Sequence, residues 1–197
     1  LTARVAALLF AASLAGCATR GHVATPDEVA RLERAGGLSA SGKITLSGPK
    51  GKFSARVVFG VARPDALRIE IPGGTGLRFL LVAKEGILRA DLPGDDAMFE
   101  GPGTREVMNG LFGIDLSPAD LVRAVLGPPP PSMEVGWRFA KTLPAQVSIR
   151  GSNQTRLSIT LDDAEVEAPK PRAFDFGPAR ARVFTLREMS DRLGLTR

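Results

Sequence analysis

A thiol and an imidazole, the side chains best suited to nucleophilic or transition-metal chemistry at neutral pH, each occur once in this sequence, while counting alone leaves a carboxylate-only site open. They are Cys17 and His22. A catalytic triad needs a histidine held between a nucleophile and a carboxylate, and His22 lies in a polar stretch with no nucleophile elbow anywhere in the chain. One cysteine forms no internal disulfide and no Cys-rich metal site. The acidic residues form no clustered motif, so no metal ligand set, cofactor or catalytic residue is assigned and the chain is not expected to be an enzyme. What remains is a single thiol that follows an apolar run.

That run has the form of an export signal. Arg4 supplies a positive start, and Val5 to Ser13 is an apolar stretch too short to span a bilayer as a stable helix. Leu14-Ala15-Gly16-Cys17 follows, and it resembles the lipobox of bacterial lipoproteins. Small residues at Ala15 and Gly16 let a peptidase reach the backbone, and the Cys17 thiolate is the nucleophile that takes a diacylglyceryl group. The resemblance implies cleavage after residue 16, a lipid anchor on Cys17 and a tether over 17–24. In the sorting rule of such proteins an Asp after the cysteine retains them in the inner membrane. Here that residue is Ala18, which implies the outer membrane, on its periplasmic face.

Bulk composition narrows the rest. The chain has 197 residues, 44% of them apolar and 24% charged, which is the balance of a globular domain and not of a disordered one. Aromatic residues make up only 6%, with no Tyr and one Trp, Trp137, too few for a base-stacking platform. Nucleic acid is therefore not an expected partner. The net charge of +5 is spread along alternating strand positions, as on a solvated surface, with a loose attraction to anionic headgroups as the other reading.

From about Leu38 to Pro93 apolar residues recur every second position. Ile44 and Leu46, then Phe53, Val57 and Phe59, then Leu67, Ile69 and Ile71, then Leu77, Phe79 and Leu81, then Leu88, Ala90 and Leu92 mark five strands. Each has one apolar face, and Gly and Pro turns separate them. Ala97 and Phe99 suit one strand more. Capping patterns predict helices opening at Thr25, Thr104 and Ser117, with Glu28 and Asp120 at the third helical position of the first and last. Gly113 and Gly127 end the second and third. Pro128 to Pro131 is an extended strap. Strands resume at Val135, Trp137 and Phe139, at Val147 and Ile149, and at Leu157, Ile159 and Leu161. Phe174 and Phe176 suit a further short strand, and residues 181–186 a last one. The tail over 188–197 is left as a frayed turn or a disordered end.

Ten or eleven antiparallel strands interrupted by two helices predict an α+β fold, mainly β: an incomplete antiparallel barrel whose inner face is lidded by the helices near 104–127. Alternation cannot distinguish an openable pocket from a dry, packed core, since both bury one face.

The order of these elements resembles the LolB-type outer-membrane lipoprotein receptors and the related LolA-type periplasmic carriers, over about Ser39 to Leu186. The matching stretches are Met108-Asn109-Gly110-Leu111-Phe112-Gly113 with Ile114 to Leu116, then Leu121 to Pro128, the turn Ile71-Pro72-Gly73-Gly74, and Pro171 to Phe176. The resemblance implies an unclosed barrel over 25–187 whose cavity takes the acyl chains of other lipoproteins, with no covalent step. Implied partners are acylated lipoprotein cargo, a soluble LolA-type carrier and the membrane, with a monomeric chain. On strand parity the expected lining is Phe53, Val57, Phe59, Leu67, Ile69, Leu77, Phe79, Leu81, Leu88 and Trp137. Leu111, Phe112, Leu121 and Val125 complete it from the lid. The family carries a protruding Leu in the membrane-facing turn after the third strand. This chain departs from it with Gly73, beside Gly74. A lipid-anchored scaffold or lipid-sensing module of the same fold is the alternative function.

Overall fold

The computed structural model describes residues 21–48, 51–74, 76–151 and 154–194. The expected lipobox with Cys17 lies outside these residues. In chain order the elements are β1 (His22–Val23), α1 (Pro26–Arg34), β2 (Gly37–Gly48), β3 (Gly51–Ala62), β4 (Ala66–Gly73), β5 (Gly76–Lys84), β6 (Ile87–Leu92) and β7 (Ala97–Pro102). After these come α2 (Arg105–Phe112), α3 (Pro118–Leu126), β8 (Glu134–Ala140), β9 (Leu143–Arg150), β10 (Arg156–Leu161), β11 (Arg182–Val183) and α4 (Leu186–Leu193).

All eleven strands form one sheet in the order β1-β8-β9-β10-β2-β3-β4-β5-β6-β7-β11. Neighbours run antiparallel except β11, which pairs parallel to β7. β2 to β7 are a simple meander, as alternation predicts. β1 and β11 sit at opposite edges and do not pair with each other, so the sheet curls without closing. Curling brings β10 hard against β2: a β-carbon on Gly42 would collide with the Thr160 carbonyl oxygen, so this corner accepts only glycine.

Helix starts are set by their caps. Thr25 with Glu28, Ser117 with Asp120 and Thr185 with Glu188 make reciprocal capping boxes, and the Thr104 hydroxyl accepts from the Val107 amide. Gly113 ends α2 in the left-handed conformation. The inner face of the sheet packs against α1 to α4 in one apolar cluster that includes Leu38, Phe59, Leu67, Leu88, Leu121 and Met189.

Four features differ from the sequence reading. His22–Val23, expected in a tether, adds an edge strand to β8, with His22 opposite Phe139. Phe174 and Phe176 are not a strand. Pro171–Phe174 is a 3₁₀ turn, because Pro169 and Pro171 cannot donate to a ladder, and Phe174 is buried on the outer face of β5 against Leu80 and Val82. The last strand shrinks to Arg182–Val183. The tail is a capped helix, α4, whose Met189 is fully buried and which packs along α2, where the Ser190 hydroxyl donates to the Gly110 carbonyl at 2.9 Å.

On the outer face, the segment carrying Phe174 also covers a buried ion pair. Arg89 Nε donates to Asp91 at 2.8 Å, and the Arg89 guanidinium donates to the carbonyls of Gly177 and Pro178. This pinning holds the C-terminal segment across β5 and β6, so that the chain returns to the inner face as α4.

Candidate functional site

The inner face divides along the strand direction into a solid half and a hollow half. β2 and β4 end, and β3 and β5 begin, at the same end of the sheet. Towards that end lies an apolar cavity of about 210 Å³. Strand side chains from Ile44, Leu46, Phe53, Val57, Ile69 and Ile71 form one wall, and Phe79, Leu81 and Leu92 continue it. Met108 and Phe112 of α2, Ile114, Leu121 of α3, and Leu193 of α4 face them. Phe112 meets Phe79 edge to face, with ring centroids 6.0 Å apart, joining helix to sheet across the cavity.

Of the fourteen side chains expected to line a cavity, Phe53, Val57, Ile69, Phe79, Leu81, Phe112 and Leu121 do so. Phe59, Leu67, Leu88, Leu111 and Val125 are outside its lining and packed solid within the core. They share a face with the lining, but Leu67 and Leu88 lie one or more rows further from the open end. Trp137 is half-buried outside the cavity and donates from Nε1 to the Val125 carbonyl at 3.2 Å. Ile44, Leu46, Ala55, Ile71, Leu92, Met108, Ile114, Leu157 and Leu193 line the cavity without having been expected there; strand parity already placed Ile44, Leu46, Ile71 and Leu92 on the correct face.

Leu77 needs a correction. Strict alternation sends it inward with Phe79, but the register of β5 against β4 slips between Ile71 and Pro72: Ile71 pairs with Phe79, while Pro72 pairs with Leu77. Arg78 is thus an extra residue, a β-bulge, and a bulge re-aims the side chains beyond it. Leu77 turns to the outer face, against the small cluster of Leu80, Val82 and Phe174. Arg78 takes its place on the cavity wall.

The two ends of the helical layer are held differently. At the solid end Arg63, in the turn after β3, donates to the carbonyls of Glu33, Ala35, Leu126 and Gly127, which ties the last turns of α1 and α3 to the sheet. α3 buries Leu121, Val122, Ala124, Val125 and Leu126. The burial of Asp120 pushes its carboxyl up, yet hydrogen bonds from Ser117 and the Arg105 guanidinium outweigh this and hold it below the usual range. α3 is therefore fixed. At the hollow end the wall is completed by the last turn of α4, where Arg192 makes a two-pronged ion pair with Asp95 at 2.6 and 2.7 Å. Hydrogen bonds from Arg192 hold the Asp95 carboxyl below its ordinary value. This pair is exposed and joins the last described helix to the turn before β7.

The turn at Gly73 and Gly74 is exposed beside the cavity's open end and carries no apolar side chain. His22 pairs with Glu28 at 2.9 Å on the surface, outside the cavity. Among the described residues no helix is long and apolar enough to cross a membrane, and no group of three His, Cys, Asp or Glu is placed to hold a metal.

No protein-family model matches the sequence, and no curated protein matches it. Two solved structures resemble it weakly. One is an uncharacterized conserved protein from Thermus thermophilus, 11% identical, covering 80% of this chain and 96% of its own at a TM-score of 0.42. Another is a Vibrio parahaemolyticus domain provisionally called an outer membrane lipoprotein-sorting protein. It is 8% identical, with coverage of 76% and 93% and the same TM-score. At that distance neither likeness bears on the chemistry of the cavity.

Proposed function

We propose that this chain shelters acyl chains, those of lipoproteins in transit, in the hollow half of its curled sheet, and hands them on without covalent chemistry. The observation that carries the reading is the cavity itself: a space lined mostly by Leu, Ile, Val, Met and Phe, open at one end of an unclosed sheet. Burying hydrocarbon is worth about 0.8 kcal/mol per methylene, so a chain of a dozen or more carbons in water costs on the order of 10 kcal/mol. A transfer protein must offset that cost and still release its cargo. Apolar walls with few fixed polar contacts give such a compromise.

The cavity's present volume is below the roughly 300–1,000 Å³ of sites that enclose drug-sized ligands. It therefore admits part of a chain, and full entry requires one wall to move. In this reading the wall that moves is α4, the last described helix. In this reading Cys17 carries the lipid anchor, the protein faces the periplasm from the outer membrane, and the bare Gly73–Gly74 turn lies towards the bilayer. Cargo arrives from a soluble LolA-type carrier, and the protein acts as a monomer.

The test uses the Cys17→Ser chain, which stays unacylated. It is titrated with an environment-sensitive fatty-acyl probe, then competed with a triacylated peptide and with the same peptide unacylated. Saturable binding reversed only by the acylated peptide is expected. A folded chain that binds no probe would instead point to a lipid-anchored scaffold with a filled core.

A further inference from the structure

The bulge in β5 uses a register slip to bring one cation to an otherwise greasy wall. Without it, Leu77 would face inward with Phe79 and Leu81, and Arg78 would point outward like Arg68 on the neighbouring strand. With it, Arg78 lines the cavity beside Phe79 and Ile71, next to the open end. Arg78 has no hydrogen-bond or ion-pair partner among the described residues, whereas Arg68 and Arg89, the cations facing outward on the adjacent strands, are paired with Glu70 and Asp91. Arg192 also reaches the lining, but Asp95 neutralises it. Among the described residues no acidic side chain lines the cavity. Among the described lining residues Arg78 is thus the one cation without a partner, set against apolar walls.

A guanidinium presents several N–H donors in a rigid fork that matches the oxygens of a carboxylate or phosphate. We propose that Arg78 is a headgroup site, and that the cavity takes an anionic amphiphile whose charged group, a carboxylate or phosphate, sits next to the hydrocarbon chain. This rests on the acyl-shelter part of the reading above and puts an anionic amphiphile in place of its lipoprotein cargo. The lipidated cysteine of a lipoprotein presents ester, amide and thioether groups and no charge at its head. A fatty acid or a phospholipid-type phosphate presents the anion that Arg78 lacks. The exposed setting of Arg78 keeps its charge cheap in the empty protein, and closure of chain and wall around the ligand strengthens the pairing by excluding water.

The test compares four probes at pH 8 against a bound neutral fluorophore: laurate, dodecyl phosphate, methyl laurate and inorganic phosphate. Hosts are the Cys17→Ser chain, the same chain with Arg78→Gln, and one with Arg156→Gln, an exposed cation outside the cavity lining. Charge-assisted hydrogen bonds of this kind predict that the two anionic amphiphiles bind roughly 10- to 100-fold tighter than the ester. Arg78→Gln should bring them to within about threefold of the ester, and Arg156→Gln should change nothing. Equal binding of laurate, dodecyl phosphate and ester to the parent chain would overturn the headgroup site while leaving the acyl shelter intact. The headgroup site fails equally if Arg156→Gln lowers anion binding as much as Arg78→Gln, or if inorganic phosphate alone displaces the fluorophore as well as dodecyl phosphate. Failure of all three amphiphiles in a folded chain would overturn the shelter and the headgroup site together.

Discussion

Replacing Met189 with Ala should detach α4 while leaving the sheet folded. Met189 is the one fully buried large side chain of α4, and its neighbours Leu186 and Leu193 are only partly covered. Truncating a buried Met costs about 2–5 kcal/mol. The rest of the docking is thin: one hydroxyl bond from Ser190, worth about 1 kcal/mol net, the two partly covered leucines, and an exposed ion pair of the kind that contributes little. α4 is also the last described element, so its release breaks no strand pairing. A loss of about 3 kcal/mol raises the undocked population by on the order of 100-fold. Hydrogen exchange read by mass spectrometry should then show residues 186–193 exchanging faster by about that factor. β2 to β6 should keep their protection, and affinity for a fatty-acyl probe should rise as the mouth opens. Uniform loss of protection across the sheet, with the full cost appearing in the denaturation midpoint, would show that α4 is an integral part of the core. It could not then serve as a removable wall.

Three other outcomes follow from the fold. Arg89→Ala removes the close partner of Asp91, which is 2% exposed and among the described residues keeps only Arg180, at 4.0 Å; breaking such a pair costs about 3–5 kcal/mol, seen as a large drop in the denaturant midpoint. Gly42→Ala forces a methyl into the β10–β2 corner and should cost about 1–3 kcal/mol, or more if the backbone cannot shift, by the same assay. Acid should fray α1, α3 and α4: hydrogen bonds from Thr25, Ser117 and Thr185 hold the Glu28, Asp120 and Glu188 carboxyls below their usual values, with burial opposing this most at Asp120. Groups with depressed folded values give stability that is complete above the ordinary carboxylate range, near pH 4, and lost as pH falls below it. Melting followed by helical circular dichroism should therefore be flat above about pH 5 and fall towards pH 3; a melting point unchanged down to pH 3 would contradict it.

Strand parity made most of the architecture legible, because a sheet with one buried face must repeat every second residue. What parity cannot report is position along the strand. Val57 lines the cavity and Leu67 sits in solid core, though both point inward, and the difference is distance from the open end. Nor does parity survive a bulge: Leu77-Arg78-Phe79 reads as clean alternation, and only the pairing with Pro72 reveals the slip. Two misses had signals. Phe79 to Ala83 is apolar on both faces around Leu80 and Val82, which calls for a cover on each side, and Phe174 supplies the second. Thr185 with Glu188 repeats the capping pattern of the earlier helices, and Leu186, Met189 and Leu193 fall at helical spacing, so α4 was readable where a tail was expected. The ends of the sheet were not readable, since pairs as short as β1 and β11 carry no period.

The most direct test of the acyl shelter is photo-crosslinking with a long-chain fatty acid bearing a diazirine at its tail, applied to the Cys17→Ser chain and mapped by peptide mass spectrometry. A sheltered chain predicts saturable labelling on Val57, Ile69, Leu81 and Leu121, suppressed by excess unlabelled fatty acid. Labelling confined to exposed apolar residues such as Val23, Ile87 and Val183, with no saturation, would contradict it.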